Sequence, residues 1–404
     1  MPDYDPILEC IACGHKDLLP AFDLGWQPLA NTYKTDASVA EHTYPLAINS
    51  CNHCRHIQLT HKVKSELLFK DYAYVSGVSK TALEFFDWFA HMSLKYFEQP
   101  PQSVLDIGCN DGSQLDCYKN LGMHTCGVDP AQTLYPHTSQ RHNVICDFFR
   151  AGLVDGMFDI ITVQNAFAHN SNQLELLENI KPLMKDSSVL FAVTSHADML
   201  VNGEFDTIYH EHLSFYNIQS MRYLCTRAGL HLTDVRKHPI HGGSYIFVIQ
   251  TQSRNADHVQ HCVDLEKDKG LYSLEILKTF RQKAILCVNN TREFVQQCHN
   301  LNIPVVGYAA PAKSSVFLNY SRIKPQMIIE DTPLKQNTHS AGMNVPILPP
   351  SAFEKLQEYE KVCFIVLAWN FYPEIQNKIL QRRPNKQDVF VKYLPHFEVS
   401  GSLV

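Results

Sequence analysis

The chain has 404 residues, 45% apolar and 19% charged, which suits a soluble globular protein with room for two or three domains. Lys and Arg number 35 against 41 Asp and Glu, a formal net charge of −6, leaving no broad electrostatic footprint for nucleic acid. No stretch approaches the ~20 apolar residues of a membrane-spanning helix, and MPDYDPILEC lacks the basic-then-apolar build of a signal peptide. The expectation is a cytoplasmic protein with neither a membrane nor a nucleic-acid partner. Of 13 cysteines, four form two Cys-x-x-Cys pairs and the rest are scattered, as in a reducing compartment.

Residues 1–70 are expected to form a zinc-binding domain. Cys10, Cys13 and Gly14 read as a turn that aims two sulfurs at one point, and Cys51-Asn52-His53-Cys54 reads as a second. Two such knuckles supply the four soft ligands that tetrahedral zinc prefers, in a block with too little core to hold itself together. The alternative is four unligated cysteines, one pair of them redox-active. His15, His53 and His56 could replace a thiolate, but four cysteines already close the site.

Residues 71–255 alternate between strand and helix signals. Leu83 to Phe97 reads as an amphipathic helix, Ser103 to Leu115 as strand, glycine turn and helix start, and Thr125 to Ala131 as a second strand. Phe158 to Val163, a helix over Leu174 to Met184 and a strand at Val189 to Val193 continue the rhythm. This predicts a parallel sheet wound on both faces. Residues 256–404 open with helix to about residue 300. A second, smaller α/β domain associated with substrate follows, its strands near 304–308, 327–330, 362–368 and 389–393.

The turn Asp106-Ile-Gly108-Cys-Asn110-Asp111-Gly112 lacks the spacing of a dinucleotide fingerprint. An acidic residue precedes its first glycine, and Asp129 closes the next strand, where a carboxylate can take both ribose hydroxyls. That is the pattern of S-adenosylmethionine (SAM) binding, with a NAD or nucleotide-sugar Rossmann fold as the competing reading.

Several motifs then follow in one order: the Cys pairs, VLDIGCNDG, Tyr209-His210-Glu211-His212, His241-Gly-Gly-Ser244, Gly307-Tyr-Ala-Ala-Pro-Ala-Lys313, Asp331-Thr-Pro-Leu-Lys335 and Leu367-Ala-Trp-Asn370. Over nearly the whole chain this order resembles the SAM-dependent C-methyltransferases that act on C3 of nucleotide-linked 4-keto-deoxysugars. FDTIYHEHLSFY joined to GYAAPAK is the specific part. The family usually has Ser at Cys109 and Glu at Asp129; Asn165 and His169 match it.

Read alone, Tyr209 to His212 follows the β-prone Phe205-Asp-Thr-Ile, so an extended chain would put Tyr209 and Glu211 on one face and the two histidines on the other. The segment could ligate metal with His169, sit as satisfied polar core, or do acid–base work beside a substrate. The last is favoured because each such group needs a partner when buried. His212 fits the base, and the resemblance implies the same; Tyr209 can donate to an enolate oxygen, Glu211 orient a hydroxyl or imidazole, and His169 act as a second donor.

Asp106, Gly108, Asn110, Asp111, Asp129 and Asn165 are the expected cofactor residues. Tyr72, Tyr74, His241 and Lys313 are the expected substrate residues, the Gly307–Lys313 loop suiting a diphosphate. The expected function is C3 methylation of a nucleotide-diphospho-4-keto-deoxysugar through a base-generated enolate, with structural zinc. The rivals are O-methylation of a nucleotide sugar and a non-catalytic protein that binds zinc and a nucleotide sugar. No oligomeric state is read from the sequence.

Overall fold

A computed structural model describes residues 3–69 and 75–403, so Tyr72 and Tyr74 lie outside the described residues. The chain divides into two compact units, each assembled from separated stretches. One comprises Met1–Pro20, Asn49–Ala197 and Glu211–Ser273; the other comprises Ala21–Ile48, Asp198–His210 and Leu274–Val404.

The first unit is built on a seven-stranded sheet. Its strands are β1 (Ser103–Ile107), β2 (His124–Val128), β3 (Asn143–Ile145), β4 (Phe158–Gln164), β5 (Met184–Thr194), β6 (His231–His238) and β7 (Ser244–Gln250). The spatial order is β6-β7-β5-β4-β1-β2-β3. From β3 through β5 neighbours run parallel, and β7 joins β5 antiparallel with β6 outside it. Near-continuous apolar runs such as VLFAV in β5 reflect burial on both faces. The order reverses between β1 and β4, and the carboxyl ends of strands at such a point form a ligand crevice.

Helix α1 (Lys80–Leu94) starts where the Ser79 side chain accepts from the Ala82 amide, and buries Ala82, Phe85, Phe86 and Phe89 at helical spacing. Helices α2 (Ser113–Asn120), α3 (Gln173–Ile180) and α4 (Ile218–Arg227) follow, α4 opened by a capping box between Asn217 and Ser220. The expected single helix after residue 256 is two, α5 (Ala256–Asp268) and α6 (Glu275–Asn300), broken around Gly270, which sits at φ +78°.

The cysteine-bearing lobe of the first unit is small. Tyr4–Pro6 pairs antiparallel with His61–Val63, and Ile57–Leu59 takes up Ser214–Phe215 as an antiparallel neighbour, Ser214 opposite Gln58 and Phe215 opposite Ile57. The buried His56 ring lies between the Ser214 and Ser220 hydroxyls at 3.2 and 3.3 Å.

The second unit carries another seven-stranded sheet: β8 (Val305–Tyr308), β9 (Ile328–Ile329), β10 (Thr338–His339), β11 (Pro346–Leu348), β12 (Cys363–Val366), β13 (Val389–Lys392) and β14 (Glu398–Ser400). Its order is β10-β11-β9-β8-β12-β13-β14, with a parallel centre and one antiparallel strand at each edge. Helix α7 (Ala312–Ser321) follows β8, and α8 (Tyr372–Arg382) follows β12. Among the described residues no helix is long and apolar enough to cross a membrane.

Candidate active site

The sulfurs of Cys10, Cys13, Cys51 and Cys54 all lie within 4.8 Å of one another. Each knuckle is a tight turn: the Gly14 amide donates to the Cys10 carbonyl at 2.8 Å, and the Arg55 amide to the Cys51 carbonyl at 2.9 Å. Hydrogen bonds from Cys10 and Cys54 hold the Cys51 thiol well below its usual range. Four convergent soft donors with no histidine among them fit a closed tetrahedral zinc site. His15 and His53 stack on one another at 3.8 Å instead of joining the sulfurs, and the Arg227 guanidinium donates to the carbonyls of Ile11 and Ala12 inside the first knuckle.

A cavity of about 430 Å³ opens at the carboxyl ends of β1, β2 and β4. All six expected cofactor residues line it, as do His169 and His241. Gly108 stands at φ +80°, and a Cβ there would lie 2.5 Å from that of Ala166, so any other residue would be strained and would collide unless the loop shifted. The Asp129 carboxylate accepts from the amides of Asn110 and Ala131, both at 2.8 Å, and burial raises its pKa. The buried Asp106 accepts from the Thr162 hydroxyl at 2.6 Å. Burial pushes its carboxyl up to about 7, against the Thr162 bond and with help from Asp129.

Asn110 and Asp111 reach away from the strands: their side-chain oxygens accept from the Ser76 and Gly77 amides at 2.9 Å each. They therefore fasten the segment before α1 onto the glycine loop. Asn165 holds φ +54° and its amide donates to the Val193 carbonyl at 2.7 Å. A buried acid at one end, a second acid beside the loop and a surface that admits no Cβ between them fit a nucleoside-bearing ligand with a cationic end. SAM is such a ligand.

His169 follows β4 with its ring stacked on Phe69 and with Nε2 buried and lacking a hydrogen-bond partner among the described residues. Burial brings its pKa down to about 4, so the ring is neutral. His212 stacks on His169 with ring centroids 5.2 Å apart, and its Nδ1 lies 3.4 Å from the Ser195 hydroxyl. The Leu213 amide donates to the Ala168 carbonyl at 3.0 Å, tying the two histidine segments together.

The expected extended run through Tyr209 to His212 is not formed. Phe205–Thr207 is a turn of 3-10 helix, His210 and Glu211 form a turn, and the strand begins only at Ser214. The alternation of faces inferred for a strand therefore does not apply. Glu211 and His210 are buried, whereas Tyr209 and His212 are half-buried. The border between the compact units falls between His210 and Glu211. In the second unit, the Lys313 ammonium lies 4.5 Å above the Trp369 ring. Burial raises the pKa of Asp206 and pushes Glu204 up to about 7, the Lys313 charge opposing both shifts only in part.

Three family models cover most of the chain: a zinc binding domain over residues 10–69, a methyltransferase domain over 79–235, and a C-methyltransferase C-terminal domain over 239–395. The C-methyltransferase NovU of Streptomyces niveus is 28% identical over 389 residues, 92% of this chain and 91% of that protein. The chain thus carries a zinc binding domain, a methyltransferase domain and a C-methyltransferase C-terminal domain in that order. The ubiquinone biosynthesis O-methyltransferase of Glaesserella parasuis is 29% identical over 106 residues, 23% of this chain and 45% of that protein. A solved S-adenosylmethionine-dependent methyltransferase from Clostridium acetobutylicum aligns at 12% identity over 41% of this chain and 90% of its own, with a TM-score of 0.36.

Asp147 and Phe148, after β3, also stand in the wall of the cavity. Sequence reasoning passed over both. The signal was an acidic–aromatic pair on the loop directly after the short strand that follows Asp129, at the same end of the sheet as the glycine turn.

Proposed function

We infer that the chain methylates C3 of a nucleotide-diphospho-4-keto-deoxysugar. A sugar carbon has no lone pair to offer, so a proton beside the ketone must leave first. The electron pair it releases shifts into the ketone as an enolate, and the carbon then attacks along the line of the departing bond. SAM supplies the electrophilic methyl carried on a sulfonium. His212 takes the proton, and a neutral imidazole is the right form for that task. His169 donates to the developing oxyanion, and Tyr209 does the same in this reading. Asp106 and Asp129 hold the two ends of SAM against the Gly108 loop, while Asn110 and Asp111 hold the loop itself. His241, which also lines the cavity, is the candidate contact for the acceptor in this reading. The motif order supports a sugar acceptor, the match along 91% of a C-methyltransferase supports transfer to carbon, and Lys313 remains the candidate contact for the diphosphate.

The observation that carries this reading is the stacked pair His169 and His212, with His169 lining the cofactor cavity. The test replaces SAM by S-adenosylhomocysteine in D₂O, so that no methyl can trap the enolate. Deuterium should enter C3, and His212→Asn should abolish both exchange and methylation, a loss of ~10²–10⁴-fold, while SAM still binds. A methyl found on oxygen would replace the reading with O-methylation, and binding without turnover on any keto-sugar would leave a binding protein.

A further inference from the structure

We propose that Ser195 is the positioning residue of His212: its hydroxyl accepts the Nδ1 proton and so assigns proton removal to Nε2. The inference rests on His212 being the base. Its grounds are geometric. Ser195 directly follows β5, and its hydroxyl lies 3.4 Å from Nδ1 of His212. A catalytic hydrogen bond is often this long before the acceptor substrate binds.

The backbone around Ser195 is held from several sides. The Ala197 amide donates to the Tyr216 carbonyl at 2.9 Å and the Tyr216 amide to the Ser195 carbonyl at 3.4 Å, while His196 and Tyr216 form a parallel bridge. On the other side the His196 imidazole presses on Gly243, where a Cβ would stand 2.8 Å from Nε2. Ser195 therefore has little freedom to follow a rotating imidazole, and the imidazole must come to it.

The requirement is chemical. A neutral imidazole carries one proton, and only the other nitrogen can act as a base. With Nδ1–H donating to Ser195, Nε2 is the basic atom. When it takes the substrate proton, the imidazolium keeps Ser195 as acceptor for its Nδ1–H. His169 is stacked on the ring and neutral, and Glu211 is next to it in the chain.

The test uses the full zinc-loaded chain with ¹⁵N-labelled histidine. Wild type should show neutral His212 protonated on Nδ1, and Ser195→Ala should lose that preference. In Ser195→Ala kcat should fall up to about tenfold, the scale of one neutral hydrogen bond, with the acceptor KM and SAM affinity unchanged. The acid limb of its pH–kcat profile should move to lower pH, because the imidazolium has lost an acceptor. Ser195→Thr should restore both. Nε2–H in the wild type, or a Ser195→Ala profile identical to wild type, would overturn the assignment. Nδ1–H held by Ser195 without C3 exchange would overturn the base reading and leave the tautomer assignment standing.

Discussion

The indole Nε1–H of Trp369 donates to Oδ2 of Asp206 across 2.8 Å, inside the second unit. The Tyr393 hydroxyl donates to the same oxygen at 2.8 Å, and Asp206 is fully buried. Trp369 follows β12, Tyr393 follows β13, and Lys313 follows β8, so the carboxyl end of this sheet closes on a carboxylate of the chain itself. That carboxylate stands three residues before Tyr209.

Its other oxygen, Oδ1, has no hydrogen-bond partner among the described residues. Trp369→Phe keeps an aromatic face under Lys313 but removes one of two donors from Oδ2. The expected cost in urea unfolding is about 1.5–3 kcal/mol, typical of a hydrogen bond to a charged group. An unchanged midpoint would show that the bond contributes nothing.

Asp106 predicts a pH dependence. Its folded pKa of about 7 lies above the ordinary carboxylate range, so the ligand-free native state carries an extra proton at mildly acid pH. Between about pH 4 and 7 the native state binds more protons than the unfolded chain, so the stability this group contributes is full below about 4 and is lost as pH rises through 7. SAM affinity runs the other way: the cationic end needs the ionised carboxylate, so binding should strengthen as pH climbs, by at most about tenfold per unit, and level off above 7. Calorimetric titration across this range checks it, and Asp106→Asn should bind weakly with a flat profile.

Gly108→Ala should cut SAM affinity more than tenfold, because the new methyl meets Ala166 and the left-handed backbone costs about 1–2 kcal/mol. Adding Ala166→Gly removes the collision but not the strain, so the double variant should recover part of the affinity. Equal binding by the two would mean that the collision is relieved by a shift of the loop.

Metal analysis should find about one zinc per chain, as for a closed four-cysteine site. Cys51→Ser should lose it and unfold the lobe, seen as early proteolysis before residue 64. Full occupancy in that variant would move the site elsewhere.

Much of this was legible because it is local. Cys-x-x-Cys spacing, apolar strand runs and a glycine after Asp106 depend on neighbours in sequence. The turn at His210–Glu211 was not, since β-branched Thr207 and Ile208 suggest strand and only tertiary packing overrides them. Nor could Asn110 and Asp111 be seen to grip Ser76 and Gly77, 34 residues away. The make-up of the second unit is the extreme case. Tyr33 donates its hydroxyl to the Ala310 carbonyl at 2.7 Å across 277 positions of chain, and no pattern within either segment announces the other.

The strand that follows Cys54 is zipped to the strand that follows His212, and the Leu59 amide donates to the Leu213 carbonyl at 3.0 Å. The metal lobe is thus a jig for the histidine loop as well as a folded module. In the proposed reading, a chain stripped of its metal would keep Asp106 and Asp129 at the strand ends of the parallel sheet while the segment that follows His212 lost its clamp.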